Sequence, residues 1–366
     1  MRTGGGHLAP ARSIASYLSK NHGAEIEPVL IDGLANARPI AKFIIEDGYR
    51  ILQAKAKWYY ELIYFLNKLP FVGQGNVLLA KQFIKKELKR RIAEERPAKI
   101  AILHFLLIEP IDEILHELNL DIPVVTMVTD PFTAHPMWFK RRQEHYILFS
   151  ERLQTYCIVN RHIPARKIHV FPFIVDEKFE HSLTDQEIRA ARERHGFSPG
   201  KKIVLIIGGG DGIPNGKFIL HHLLHAGLDV DVAIVCGKNK TLHDDALAMQ
   251  KKFPQLKVFG FVDFVYDLLA VADVVITKCG ASTIMEILLM KKVPVINDYL
   301  WEQELGNMEF VRDNELGIFE RNISKLPQVI QRLLSDDEEY DRYRRNILSM
   351  NLRNGTREAA EFLIKL

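Results

Sequence analysis

Short apolar runs alternate with amphipathic stretches along almost the whole chain, the pattern of parallel strands joined by helices. After a helix at 10–20, a strand is expected at 25–31 and a long helical stretch from about 40 to 95. A strand at 99–104, a helix at 111–118, a strand at 123–128 and a loop at 129–136 follow, with short segments near 154–159 and 169–171. Residues 172–200 are charged, bounded by Pro172 and Gly200, and read as a connection. The pattern then restarts with strands at 202–207, 231–235, 257–259, 274–276 and 294–296. Helices at 217–226, 244–252 and 266–271 separate them, and an amphipathic helix at about 357–366 closes the chain. This implies two Rossmann-like α/β domains facing each other across a cleft. The expected bounds are 1–175, a linker at 176–200, a second domain at 201–345, and a tail at 346–366 that packs back on the first domain.

The stretch 278–307 is the richest in chemistry. An apolar strand stops at Lys278, Gly280 turns the chain, and Ser282 or Thr283 opens a helix that carries Glu286. A helix N-terminus presents free N–H groups and positive dipole character to a diphosphate. Glu286 could accept hydrogen bonds from a ribose diol, and the later polar loop with Gln303, Glu304 and Asn307 could read sugar hydroxyls. Thr283 and Glu286 also have capping-box spacing, in which Glu286 would only satisfy its own helix. The position of the polar loop beyond the next strand favours a nucleotide-sugar site.

Two glycine runs add to this. Gly4-Gly5-Gly6 stands directly before His7, with no apolar strand ahead of it, so a first strand is expected to be missing. An imidazole with a pKa near ~6.5 can take a proton from a hydroxyl at neutral pH. Asp130, at the end of the strand 123–128, is a second candidate base or a partner that orients His7. His135 and Trp138 could line an acceptor pocket, while Asp130 alone also fits a turn before Pro131. Gly208-Gly209-Gly210 is a second loop that lets phosphate approach, though it is neither GxGxxG nor a P-loop. Asp229 and Asp231 introduce a strand instead of ending one, which argues against a metal-binding Asp-x-Asp pair. No metal-ligand spacing is evident.

Residues 40–91 exceed a minimal crossover. They hold eleven bases against four acids, a net +7 in a chain whose total is +3, and the aromatic residues Trp58, Tyr59, Tyr60, Tyr64 and Phe65 lie among them. With Lys57 beside Trp58 and Tyr59, this reads either as a peripheral contact to an anionic membrane or as a helical insertion with a solvated basic face. The small total charge argues against nucleic acid as a partner. The odd number of cysteines, three without CxxC spacing, suggests buried thiols in a reducing compartment.

The ordered set resembles the family of monogalactosyldiacylglycerol synthases and processive diacylglycerol glucosyltransferases. It comprises Thr3-Gly-Gly-Gly-His7, Thr129-Asp130 with His135-Pro-Met-Trp138-Phe, Gly208-Gly-Gly210, Cys236-Gly-Lys-Asn239 and Gly260-Phe-Val262. Thr277-Lys-Cys-Gly280 with Thr283 and Glu286, and Asn297-Asp-Tyr with Gln303-Glu-Leu-Gly-Asn307, complete it. The resemblance implies a GT-B fold and metal-free, inverting transfer of galactose or glucose from UDP-galactose or UDP-glucose to diacylglycerol. His7 becomes the favoured base, with Gly5 and Gly6 near the acceptor. Gly280, Ser282 and Thr283, with Lys278, would lie near phosphate, Phe261 and Val262 beside uracil, and Gln303, Glu304 and Asn307 on the sugar. No cofactor is implied, and the insertion would meet the membrane at its cytoplasmic face. In the family's phosphate turn, Cys279 and Ala281-Ser282 replace the more usual Ala and Pro-Gly. A UDP-N-acetylglucosamine 2-epimerase, or an inactive binder of UDP-sugar and membrane, would share the architecture.

Overall fold

The computed structural model describes residues 5–34, 48, 57–66, 70–139 and 145–366. Proximity along the backbone divides the chain into two units. The first is Met1–Val175 with Trp301–Gln303 and Asn354–Leu366; the second is Asp176–Leu300 with Glu304–Arg353. Much of 40–56, Gly4 and the side chain of Lys57 lie outside the described residues.

In the first unit, β1 (Ile100–Ile102), β2 (Val124–Met127), β3 (His145–Leu148) and β4 (Ile168–Val170) form a parallel sheet in sequential order. Every residue of β2 is buried, as a strand covered on both faces requires. Ile84, Leu88 and Ile92, spaced four apart on helix Pro70–Glu95, share a core with Ile108, Ile111 and Ile114 of helix Ile108–Glu117. The C-terminal helix Thr356–Lys365 packs on helix Gly5–His22, and Lys99 Nζ donates to the carbonyls of Leu363 (2.8 Å) and Ile364 (2.5 Å) near its end.

One expectation fails here, and one segment left without a type is resolved. Residues 25–31 form no strand: Pro28 lacks a donor, and Val29 and Leu30 are exposed instead of paired. The stretch 154–159 lies in helix Glu151–Arg161, because Ser150 caps it by accepting the Leu153 N–H at 3.1 Å. That cap outweighs the β-branched Thr155, Ile158 and Val159.

The second unit holds six parallel strands: β5 (Lys202–Ile207), β6 (Val230–Val235), β7 (Leu256–Phe259), β8 (Val274–Lys278), β9 (Val293–Asp298) and β10 (Ile318–Phe319). Their order is β10-β9-β8-β5-β6-β7. The strand order therefore reverses between β5 and β8, where Ile207 pairs with Thr277. A doubly wound sheet opens its ligand crevice at the carboxyl ends of such a pair. Residues 176–200 belong to this unit and contain helix Asp185–Arg194, which begins with a true capping box of Thr184 and Glu187. Helix Lys240–Gln250 starts four residues before the expected 244, since the Asn239 side chain caps it from the Leu242 N–H at 3.0 Å. Asp231 is buried and accepts from Ser198 N and Oγ, while Asp229 pairs with Lys201.

Candidate functional site

The loops after β5, β6 and β8 converge at the switch point of the second unit. Gly237, at φ +58°, lies so close to the Gly210 carbonyl that any Cβ would collide with it. The glycine therefore lets the turn after β6 close against the Gly208–Gly210 loop, and Lys238 N–H donates to Gly210 O at 2.9 Å. A Cβ on Gly209 would stand 3.8 Å from Thr283 Oγ1, and one on Gly210 would stand 4.0 Å from Phe261 Cε2. Phe261 is 66% exposed and Val262 is half-buried.

Helix Ala281–Leu289 has Gly280 as its N-cap and no side-chain cap. Thr283 therefore sits inside the first turn, and the capping-box alternative for Thr283 and Glu286 does not form. The first N–H groups have no capping oxygen, and the buried Ser282 Oγ has no hydrogen-bond partner. Glu286 lies one turn further on. No hydrogen-bond donor among the described residues reaches its carboxylate, and burial raises its pKa to about 8, opposed only by the more distant charge of Lys178.

The polar residues after β9 divide. Glu304 is buried and fully engaged: Oε1 takes Lys278 Nζ at 2.9 Å and Oε2 takes the Leu300 N–H at 2.8 Å. A sugar hydroxyl would have to displace one of these partners, so Glu304 serves first to hold Lys278 beside Gly280. Asn307 donates from Nδ2 to the Cys279 carbonyl at 2.9 Å and leaves its buried Oδ1 without a partner. Gln303 falls in the segment grouped with the first unit and is half-buried. All three cysteines are free and buried, and burial raises Cys157 and Cys236 to about 12 and Cys279 well above its usual value. They are inert thiols. Among the described residues, no group of three or more His, Cys, Asp or Glu side chains is placed to hold a metal.

In the first unit, His7 lies in the opening turn of helix Gly5–His22, directly after Gly6. Its Nδ1 is 2.6 Å from Thr129 Oγ1, and its ring centroid is 4.6 Å from that of His104 and 6.0 Å from that of Trp138. Packing around the ring lowers its pKa to about 4 even though the residue keeps some accessible surface. Thr129, and not Asp130, contacts the imidazole. Asp130 Oδ2 instead accepts the Trp138 indole N–H at 2.9 Å, and Trp138 is wholly buried. Trp138 is thus core beneath His7, and the pocket lining expected of it is not observed. His135 is 3% exposed and turns Nδ1 to the Met137 N–H, starting a short 3-10 turn. His104 does the same with Leu106 at 3.2 Å, so its neutral ring carries the proton on Nε2. His104 was not singled out from sequence, and Thr129 was quoted only as part of the Thr129-Asp130 motif, with no role of its own. Their position at or just past the end of a β-strand was the available signal.

On helix Lys57–Leu66, Trp58 (70% exposed), Leu62 (43%) and Phe65 (55%) fall at i, i+4 and i+7, with Tyr59 (43%) alongside. This is an apolar stripe open to its surroundings. The basic residues of the insertion are less free than their number suggests. Lys81, Lys85 and Lys89 form a ladder with Glu113 and Glu117, and Arg90 and Arg91 pair with Glu87, Glu94 and Glu95. On helix Pro70–Glu95 the lysines thus tie it to helix Ile108–Glu117, while Arg90 and Arg91 are paired within the helix itself. No described helix is long and apolar enough to cross a membrane.

The family Monogalactosyldiacylglycerol (MGDG) synthase matches residues 7–172, and the Glycosyltransferase family 28 C-terminal domain matches residues 203–360. A probable chloroplastic monogalactosyldiacylglycerol synthase of Nicotiana tabacum is 27% identical over 346 residues, covering 90% of this chain and 62% of that protein. The chain thus spans about six tenths of the length of this plant relative. A processive diacylglycerol beta-glucosyltransferase of Bacillus pumilus is 24% identical over 373 residues, covering 99% of this chain and 92% of that one. MurG of Acinetobacter baumannii superposes with a TM-score of 0.58 at 14% identity, covering 100% and 97% of the two chains, a likeness of fold alone. Two Rossmann-like α/β units with a basic and aromatic helical insertion in the first make this a GT-B fold. With both halves matched in order, the chain belongs to the family of monogalactosyldiacylglycerol synthases and processive diacylglycerol glucosyltransferases.

Proposed function

We propose that the chain is an inverting glycosyltransferase that moves galactose or glucose from a UDP-sugar to the hydroxyl of diacylglycerol at a membrane surface. The observation that carries this reading is the uncapped N-terminus of helix Ala281–Leu289 with the unpartnered Glu286 one turn inside it. The free N–H groups suit a diphosphate, the carboxylate suits a ribose diol, and the exposed Phe261 ring suits a base. Asn307 Oδ1 has no partner and suits a sugar hydroxyl. His7 would take the hydroxyl proton as the acceptor oxygen bonds to the anomeric carbon and the bond from that carbon to UDP breaks. One displacement inverts the centre. The helix N-terminus and backbone donors would hold the departing diphosphate.

The apolar stripe on helix Lys57–Leu66 supports a lipid-facing role, and favours peripheral contact there over the paired lysines of the next helix. Replacing both Trp58 and Phe65 with serine is expected to weaken binding to vesicles by about 10²–10⁴-fold, since each aromatic side chain is worth about 1.5–3 kcal/mol when buried. Sedimentation with vesicles checks this. Equal sedimentation of variant and parent would remove the stripe from the account.

UDP release tests the reaction as a whole. It should require both a UDP-hexose and diacylglycerol in vesicles. Release without acceptor would point to hydrolysis, and conversion of the UDP-sugar without release of UDP would point to epimerase-type chemistry.

A further inference from the structure

The donor site contains two lysines in different states. Lys278 is neutralised by the buried Glu304, whereas Lys238 forms no ion pair among the described residues and places Nζ 5.1 Å from the centroid of the Phe261 ring. Its backbone is pinned to Gly210 at 2.9 Å, in the loop whose neighbouring Gly209 passes the first turn of helix Ala281–Leu289. An exposed, flexible cation is therefore held at the junction of the aromatic ring and the glycine loop. A lysine over an exposed ring gains about 0.5–1 kcal/mol, less than a charge-assisted contact to phosphate provides.

We propose that Lys238 is a specificity residue for the diphosphate: a nucleoside diphosphate draws the ammonium off Phe261, which frees that ring for the base. This rests on the donor-site reading above. Without the ligand the ammonium rests over the exposed Phe261 ring. With it, the same side chain neutralises charge that Lys278, already paired, meets less fully. Uridine, which has no phosphate, offers nothing to draw Lys238 away and must compete with it for the ring.

Calorimetric titration of UDP and uridine into the parent and Lys238→Met separates these contributions, because methionine keeps the apolar stem and removes the charge. The expected result is UDP binding weakened about 10-fold, a flatter dependence on salt, and uridine binding unchanged or tighter. Unchanged UDP affinity in the variant overturns the inference and leaves the donor site standing. Equal weakening of UDP and uridine also overturns it, because Lys238 would then act on the base alone. Absence of UDP binding by the parent removes the donor reading and this inference with it. Lys238 is exposed, so circular dichroism of the variant should match the parent.

Discussion

Replacing His7 with alanine is expected to lower kcat for lipid glycosylation by about 10²–10⁴-fold, the usual worth of a positioned general base. UDP affinity should stay within about twofold, because helix Ala281–Leu289 with Glu286, Phe261 and Asn307 all belong to the other unit. The imidazole is held by Thr129 at 2.6 Å and walled by His104 and Trp138. Its pKa of about 4 keeps it neutral at pH 7, the form that accepts a proton. The sign follows directly. Activity governed by His7 is present above about pH 4 and is lost as pH falls through that value. Added imidazole should partly restore the alanine variant. Thr129→Val should lower kcat more than it changes KM, since it loosens the ring without removing it. A His7→Ala enzyme that retained full kcat would show that the base lies elsewhere.

The second large effect concerns Glu286. Glu286→Gln should weaken UDP binding by about 10–100-fold, as the ribose diol loses a charged acceptor for its hydrogen bonds. In the free protein the carboxyl titrates at about 8, pushed up by burial, so at pH 7 it is mostly protonated. A diol donates to the ionised form and favours it. UDP affinity should therefore rise with pH and level off above about 8, and binding near pH 7 should release a proton that buffers of different ionisation enthalpy will register. The stability effect has the opposite sign. The folded pKa exceeds the ordinary carboxyl value near ~4.5, so the folded state binds the extra proton and the group's contribution declines as pH climbs from there to about 8. The glutamine variant should thus melt higher than the parent at pH 8 and bind less tightly, the mark of a residue strained for function. Calorimetry and thermal melts read both. Equal UDP affinity in parent and variant would remove Glu286 from the site.

The second unit was the more legible half because parallel strands buried on both faces are nearly continuous apolar runs. Residues 203–207 and 274–277 are buried throughout, so strand and turn could be placed from pattern alone. The strand order could not. Only the pairing of β5 with β8 shows why the Gly208 loop and the Gly280 turn meet. Local spacing alone could not separate two motifs that look alike: Thr184 and Glu187 cap a helix, whereas Thr283 and Glu286 share the spacing and do not. The difference lies in Gly280, which begins the helix three residues earlier and leaves Glu286 without that task.

In the first unit the candidate chemistry was visible by type but not by partner. Asp130 was read as a second base or as the partner that orients His7, yet the chain turns Asp130 toward the Trp138 indole and gives His7 the neighbouring hydroxyl of Thr129. Adjacent residues point to opposite sides of an extended segment, so a pairing wrong by one position exchanges the roles. The basic insertion shows the same limit. Its excess of lysines suggested a free cationic face, but the acids that pair with Lys81, Lys85 and Lys89 lie on helix Ile108–Glu117, outside the segment whose charge was summed.

The central claim is transfer of a hexose to diacylglycerol, and the most direct measurement is product formation from labelled donor. UDP-galactose and UDP-glucose should be offered separately, with diacylglycerol in anionic vesicles, and the extracted lipid analysed. The account predicts a labelled glycosyl-diacylglycerol of inverted anomeric configuration from at least one donor. UDP binding with no labelled lipid from either donor would contradict it.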